Sequence, residues 1–259
     1  MRSDMLSKIA TVVPVAHLEE IANDRYFMAL THLADDPAYM QFYQQRIAEG
    51  KYVILDNSTV ELGHPEERAA YLRKAVEMGA SEMLAPDWLH DAHRTLTELE
   101  TFLIAAHAAG YRGSIMAVPQ GRDDAEWRGC AKQMLCHPIN TLGISRRYTQ
   151  FSGLRRHEAI LNLWEEISRS DRREVRIHLL GCAGRPETDV APSLILPCVQ
   201  GVDSSLASVF TAAGLRMDYG VDRPSTFVNF EDRYDVSLLR ENIAQWKRLC
   251  SLFHWERTL

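Results

Sequence analysis

Four polar residues in this chain stand directly after short apolar runs. Asp56 closes Tyr52-Val53-Ile54-Leu55 and Asp87 follows Met83-Leu84-Ala85-Pro86. Gln120 follows Ile115-Met116-Ala117-Val118-Pro119, and Asp203 closes Val199-Gln200-Gly201-Val202. A carboxylate at the end of a buried strand is held rigidly and serves as a nucleophile or an acid/base. Two such groups facing one another suit glycosidic chemistry: one attacks the anomeric carbon while the other manages protons on the leaving and entering groups. The oxocarbenium-like transition state is cationic, so an ionised carboxylate also stabilises it. The remaining acid and amide suit a nucleobase edge, because guanine offers N–H donors to a carboxylate and a carbonyl to an amide.

Such groups need a scaffold that repeats. Apolar, β-branched runs bounded by turn residues alternate with helical patterns. Candidate strands are 8–15, 25–31, 51–56, 82–85, 114–118, 141–145, 174–180 and 199–203. Candidate helices include 38–48, 65–78, 90–109, 123–136, 155–169 and 235–252. Pro65-Glu66-Glu67 opens the second of these with proline and acids, which a first turn tolerates. Gly79 and Gly110 stand where helix C-termini want a left-handed residue. Eight strands alternating with helices predict an α/β fold, a (β/α)8 TIM barrel forming a single domain over 1–259, with a doubly wound open sheet as the alternative. In a barrel, chemistry sits at the C-terminal mouth of the strands, where Asp56, Asp87, Gln120, Gly143, Gly181 and Asp203 all fall. The segment 218–234 is the longest without a clear period, with Arg216, Arg223 and Arg233 in or beside it, and reads as a binding loop or lid.

With 259 residues, 46% of them hydrophobic, the chain can bury one large core. No apolar run is long enough for a membrane span. Met1-Arg2-Ser3-Asp4-Met5 lacks the apolar stretch of a secretory signal. Five cysteines at no framework spacing fit a reducing compartment. These features together predict a soluble, intracellular protein. The net charge of −6 argues against indiscriminate nucleic-acid binding. Charge is unevenly spread, however. Within 143–176, eight arginines (Arg146, Arg147, Arg155, Arg156, Arg169, Arg172, Arg173, Arg176) oppose five acids, leaving that segment at +3 and the remainder at −9. A local basic face suits a polyanion held in one place; a solvated helix with partner carboxylates is the equal alternative.

The polar residues and their order resemble the tRNA-guanine transglycosylase family, and within it the short phage and bacterial relatives that place 7-deazaguanines in DNA. The resemblance covers about 52–205. Asp203 in Gly-Val-Asp-Ser-Ser is similar to the family nucleophile, which follows a Gly-Ile-Asp type turn. Asp56 in Leu-Asp-Asn-Ser-Thr resembles the aspartate of the family's Asp-Ser-Gly-Gly segment, an acid/base that meets the base. Asp87, and Gln120 in Val-Pro-Gln-Gly, match positions that read the heterocycle. Gly143 in Leu-Gly-Ile-Ser resembles the glycine turn lying against the base, and His178-Leu179-Leu180-Gly181 the apolar strand end before the nucleophile. Each motif alone is weak; their order and spacing together carry the resemblance.

Two departures bear on substrate. The tRNA enzymes carry a Cys-x-Cys-x-x-Cys zinc site with a downstream histidine, whereas only Cys250 and His254 follow the nucleophile here. Asn57-Ser58-Thr59 also replaces the double glycine. The resemblance therefore implies a guanine transglycosylase, a pentosyltransferase, with no zinc-binding subdomain, no metal and no cofactor. It implies DNA as the polymer, with tRNA as the alternative, and a free 7-deazaguanine such as 7-cyano-7-deazaguanine as the incoming base. Arg146, Arg147, the arginines after them and Arg223 would hold phosphates around an extruded nucleotide. The setting implied is the cytoplasm of a bacterium or phage-infected cell, and a symmetric homodimer would suit the family.

Plainer readings stand beside these. Asp203 can be the N-cap of a helix that begins with Ser204-Ser205, Asp56 can cap a turn through Asn57-Ser58, Asp87 can cap the helix at 90–109, and Gln120 can be ordinary loop chemistry. Asp87, His90, Asp91 and His93 suggest a metal site but lack a further ligand at a neighbouring strand end, so they read as solvated helix-start residues. His178 reads as a satisfied core histidine and Cys182 as a small core residue. Trp127, Trp164 and Trp246 read as packing residues. Competing functions are a non-catalytic nucleic-acid-binding barrel subunit and a metal-assisted hydrolase or aldolase.

Overall fold

The computed structural model describes residues 8–169, 175–182 and 184–254, with 165–169 and 254 described by backbone only. Eight parallel strands run in the order β1, β8, β7, β6, β5, β4, β3, β2. They are β1 Ile9–Thr11, β2 Tyr26–Leu30, β3 Tyr52–Asp56, β4 Glu82–Leu84, β5 Ser114–Ala117, β6 Thr141–Ser145, β7 Arg176–Leu180 and β8 Val199–Ser204. The ends of that order, β1 and β2, lie against each other, so the sheet curls into a nearly closed barrel. This is the (β/α)8 architecture that the alternation of runs predicts, and every predicted strand is present. The first run, 8–15, is strand over only three residues, because the chain turns at Pro14 into a 3-10 helix, Val15–Ile21.

The major helices are Pro37–Ala48, Arg68–Met78, Ala92–Ala108, Asp124–Met134, Arg156–Arg169 and Val236–Cys250. Their starts follow capping chemistry. Asp36, Asp91, Asp123 and Asp235 each accept a hydrogen bond from a first-turn backbone N–H. The helix predicted from 65 begins three residues later. Glu67 caps it, accepting from Ala69 N and Ala70 N, while Glu66 turns away to Lys74 and Thr31. The capping acid of Ala92–Ala108 is Asp91, which leaves Asp87 for other work. Gly79 and Gly110 both take the left-handed conformation (φ +72° and +80°) that lets the chain leave a helix sharply.

Short helices in the loops after the strands lay outside the sequence prediction: Thr59–Leu62, Tyr148–Ser152, Pro186–Asp189, Ala191–Leu194 and Leu206–Ala212. Only Leu206–Ala212 was foreshadowed, by the helical pattern after Asp203. Trp127 and Trp246 are buried in the helical layer, as expected, but Trp164 is 41% exposed, on the outer face of its helix. Cys182 is a core residue whose thiol burial pushes up to about 12, which leaves it protonated and inert.

Inside the barrel the lower layer is polar. Glu82, fully buried on β4, accepts from Thr141 Oγ1 (2.5 Å), Tyr52 Oη (3.0 Å) and Gln200 Nε2 (2.9 Å). Three donors satisfy a carboxylate that would be costly to bury alone. Above this layer, Tyr71 Oη donates to the Leu55 and Leu84 carbonyls, tying β3 to β4 just below the mouth.

Candidate active site

One pocket, with a cavity of about 130 Å³, opens at the C-terminal mouth of the barrel. Its wall takes residues at or just past the end of all eight strands: Val12, Leu30, Asp56, Leu84, Val118, Ser145, Leu180 and Asp203. Asp87, Gly181, Arg146, Arg147 and Arg223 also line it. Seven of the nine site residues expected from sequence line the pocket, and the other two, Gln120 and Gly143, lie behind residues that do.

Asp203 does not cap the following helix. It lies within β8, paired in register with Ala10 of β1, and the helix is preceded by Ser205, whose side chain makes no capping bond. The Asp203 carboxyl contacts His178 Nε2 at 2.9 Å and accepts from Gly181 N at 3.4 Å. Both contacts fall on Oδ1. Among the described residues Oδ2 has no hydrogen-bond partner.

Asp56 enters from β3. Its Oδ1 accepts from Ser58 N at 2.7 Å, so the turn-capping reading is correct and coexists with a place in the pocket wall. That turn is strained. Ser58 is buried with φ +54°, a left-handed conformation costly for a residue with a Cβ. Its Oγ contacts His32 Nδ1 at 2.8 Å and accepts from His32 N at 3.3 Å, which helps to hold the conformation. Burial pushes the Asp56 carboxyl well above the usual aspartate range, and the nearby charges of Glu61, Asp203 and Asp87 add to the shift.

Glu61 is a pocket acid that the sequence reading missed. It belongs to the four-residue helix Thr59–Leu62, too short to show a period. Its carboxyl is also pushed up, by burial against the pocket wall and then by Asp203, with Arg146 and Arg147 pulling the other way. Its one sequence signal is position: it follows the strand-end Asp56 by five residues.

Asp87 is buried and held by three donors. Oδ1 accepts from Asn57 Nδ2 (3.1 Å) and Thr59 Oγ1 (3.5 Å), and Oδ2 accepts from Gln120 Nε2 (2.6 Å). Burial still raises it, against those hydrogen bonds. Gln120 therefore acts through Asp87. Its amide oxygen accepts from His90 N, and the residue is buried behind the lining rather than in it.

The two glycines differ. Gly181 (φ +66°) lines the pocket with its N–H toward Asp203, and a Cβ there would press on Arg146 Cδ at 2.9 Å. Gly143 lies beneath the floor. A Cβ on it would meet Leu180 Cδ1 at 2.8 Å, Met116 Sδ at 3.0 Å and Val118 Cγ2 at 3.1 Å. The glycine expected to lie against a base instead admits the side chains that floor the pocket.

The predicted basic face contracts to a rim. Arg156 is fully buried, clamped by Asp189 (2.6 and 3.0 Å) and donating to the carbonyls of Ile144, Leu180 and Gly181. It braces the ends of β6 and β7 and has no donor left for a phosphate. Arg155 is exposed at the start of the helix behind it, and Arg176 begins β7 at the far end of the barrel. Arg172 and Arg173 lie outside the described residues, as does the Arg169 side chain. What remains is Arg146 and Arg147, joined by Arg223 from the long loop. Among the described residues none of the three guanidinium groups has a carboxylate partner, whereas Arg216 pairs with Glu241. Burial and the neighbouring Arg223 and Arg147 push Arg146 down from its ordinary value.

That loop is tied at several points. Gly220 N donates to Glu187 Oε1, Arg185 pairs with Asp222, Phe230 O accepts from Val15 N, and Tyr234 N donates to His17 Nε2. Phe230 reaches the pocket, while Phe227 projects with 92% exposure.

No protein-family model matches the chain, and no curated protein matches it either. Among the described residues no three His, Cys, Asp or Glu side chains are grouped to hold a metal ion, and no helix is long and apolar enough to cross a membrane. His90 and Asp91 of the candidate metal cluster take other roles: His90 packs edge-on to Phe151 and Asp91 caps its helix.

Proposed function

We propose that this barrel is a base-exchange glycosyltransferase that replaces guanine in DNA with a 7-deazaguanine derivative. The observation that carries the reading is one pocket holding Asp56, Asp203 and Asp87 beneath three unpaired arginines. The acids divide by environment. Asp203 Oδ2 is the unoccupied nucleophilic oxygen, and Asp56, raised by burial, is the acid.

In the first step Asp203 Oδ2 bonds to C1′ of the nucleotide as the C1′–N9 bond breaks. The electron pair leaves with guanine, and Asp56 supplies the proton that makes it neutral. In the second, Asp56 takes the N9 proton of the incoming 7-deazaguanine, whose nitrogen displaces the aspartyl ester. Two displacements restore the β configuration. Asp87, its remaining lone pairs directed by Asn57 and Gln120, accepts N–H donors of the guanine edge. A stacked base cannot reach such a pocket, so the nucleotide is extruded or single-stranded, with Arg146, Arg147 and Arg223 on its phosphates.

The test is release of labelled guanine from DNA, or from tRNA, in the presence of excess 7-cyano-7-deazaguanine. Release from DNA alone supports the proposal. Release from tRNA alone reassigns the polymer, and no release from either favours a non-catalytic binding subunit.

A further inference from the structure

A continuous chain of buried hydrogen bonds runs from the bottom of the barrel to Asp203, and its polarity can be read end to end. Glu82 accepts from Gln200, Tyr52 and Thr141. A carboxylate accepting from the Gln200 side chain requires its amide nitrogen, which fixes the orientation of that amide. The same nitrogen donates its second hydrogen to Tyr26 Oη at 3.0 Å. Tyr26 Oη therefore accepts from below. Among the described residues its own hydrogen has one remaining acceptor, His178 Nδ1 at 2.8 Å. Burial and the charge of Glu82 push the Tyr26 phenol well above its ordinary range, so that hydrogen stays on the oxygen.

We infer that this chain fixes His178 as a neutral imidazole with its proton on Nε2, donated to Oδ1 of Asp203, making His178 the positioning residue that leaves Oδ2 free to attack. His178 is fully buried, and its register partner on β8 is Gly201, two residues before Asp203. With the opposite tautomer, two lone pairs would face each other at 2.9 Å across the His178–Asp203 contact, and the Tyr26 hydroxyl would be left without an acceptor. His178 is therefore not a base for the reaction. It holds one oxygen of Asp203, supported by Gly181 N.

The hydrogen-bond assignment stands on geometry alone; its catalytic consequence rests on Asp203 being the nucleophile. Two measurements separate these. Long-range proton–nitrogen NMR of the full chain with labelled histidine, His178 being assigned by its loss in His178→Gln, reads the tautomer without any substrate. Nε2 is expected as the protonated nitrogen and Nδ1 as the bare one; a proton on Nδ1, or on both, overturns the inference. The second measurement is the rate of covalent adduct formation with a guanine-containing oligonucleotide. Gln places an N–H where Nε2–H lies, so His178→Gln is expected within about tenfold of the parent, whereas His178→Leu, which removes a charge-assisted donor, is expected about ten- to a hundredfold slower. Equal losses in both variants at retained fold contradict the donor role. If the parent forms no adduct, the transglycosylase reading fails, while the NMR result still decides the tautomer.

Discussion

Asp56 and Asp203 line one pocket from strands β3 and β8, three positions apart around the nearly closed barrel through β2 and β1. Asp203 is among the charges that raise Asp56. The charge of Asp203 thus helps to keep the proton on Asp56, which suits Asp203 to attack and Asp56 to carry a proton.

A pH dependence follows from that linkage. The folded Asp56 carboxyl titrates above the ordinary aspartate value, so it remains an acid at pH values where a free aspartate has ionised. Single-turnover guanine release should be fastest below its raised pKa and fall as pH rises through it. Asp56→Asn should abolish that descending limb together with most of the rate. A limb that survives in Asp56→Asn assigns the acid to another group, with Glu61 the first candidate. The sign for stability is the same: a raised carboxyl favours the fold at low pH, and that contribution is lost as pH climbs through the folded pKa. Asp56→Asn should therefore melt at least as high as the parent at neutral pH, by calorimetry.

In the proposed reaction the base is selected by Asp87, which Gln120 holds. Asp87→Asn replaces an acceptor with an amide that also donates, and leaves N–H groups of guanine unpaired. A loss of about a hundredfold or more in kcat/KM for guanine exchange is expected, with the fold intact. Gln120→Leu should produce a smaller loss of the same kind, because it removes the 2.6 Å support of Asp87 and no contact with the base. A larger effect from Gln120 than from Asp87 would contradict the order of roles.

The arginine rim predicts salt dependence. Arg147→Ala and Arg223→Ala should each weaken binding to single-stranded DNA across sequences and reduce the slope of log K against log salt by about one. Arg155→Ala, behind the rim, should leave both unchanged. Fluorescence anisotropy over a salt series checks this.

The pocket floor predicts a stability effect. Gly143→Ala places a methyl group within 2.8 Å of Leu180 Cδ1 and 3.0 Å of Met116 Sδ. Overpacking of this kind should cost about 1–3 kcal/mol in chemical denaturation. A neutral result would mean the floor rearranges freely.

The strands and the four strand-end polar residues were legible because buried strands in a barrel are short, apolar and followed by the residues that point into its mouth. What stayed hidden depends on contacts distant in sequence. Arg156 reads as one more surface arginine, and only the folded chain brings Asp189 and three strand-end carbonyls to it. Glu61 sits on a single helical turn in a loop, where periodicity has nothing to act on. In the sequence His178 reads as a satisfied core histidine, and it is buried and bonded as that reading requires; its partners, however, include the proposed nucleophile. Alternation along Ile177, His178, Leu179 and Leu180 carried a usable signal, since Leu180 lines the pocket and His178 shares its face. Gln120 and Gly143 show the converse. Gln120 sits behind the pocket lining and supports a side chain, while Gly143 lies within β6 beneath the floor and makes room for side chains.

The central claim is that Asp203 becomes esterified to the sugar. The parent protein, mixed with a guanine-containing DNA oligonucleotide without an incoming base and quenched in denaturant, should yield a covalent adduct one oligonucleotide heavier by intact mass, less one guanine, with the ester mapped to Asp203. Asp203→Asn should fold, bind the oligonucleotide and form the adduct at least about a thousandfold more slowly. An adduct that persists at the parent's rate in Asp203→Asn, or one mapped to another residue, would contradict the account.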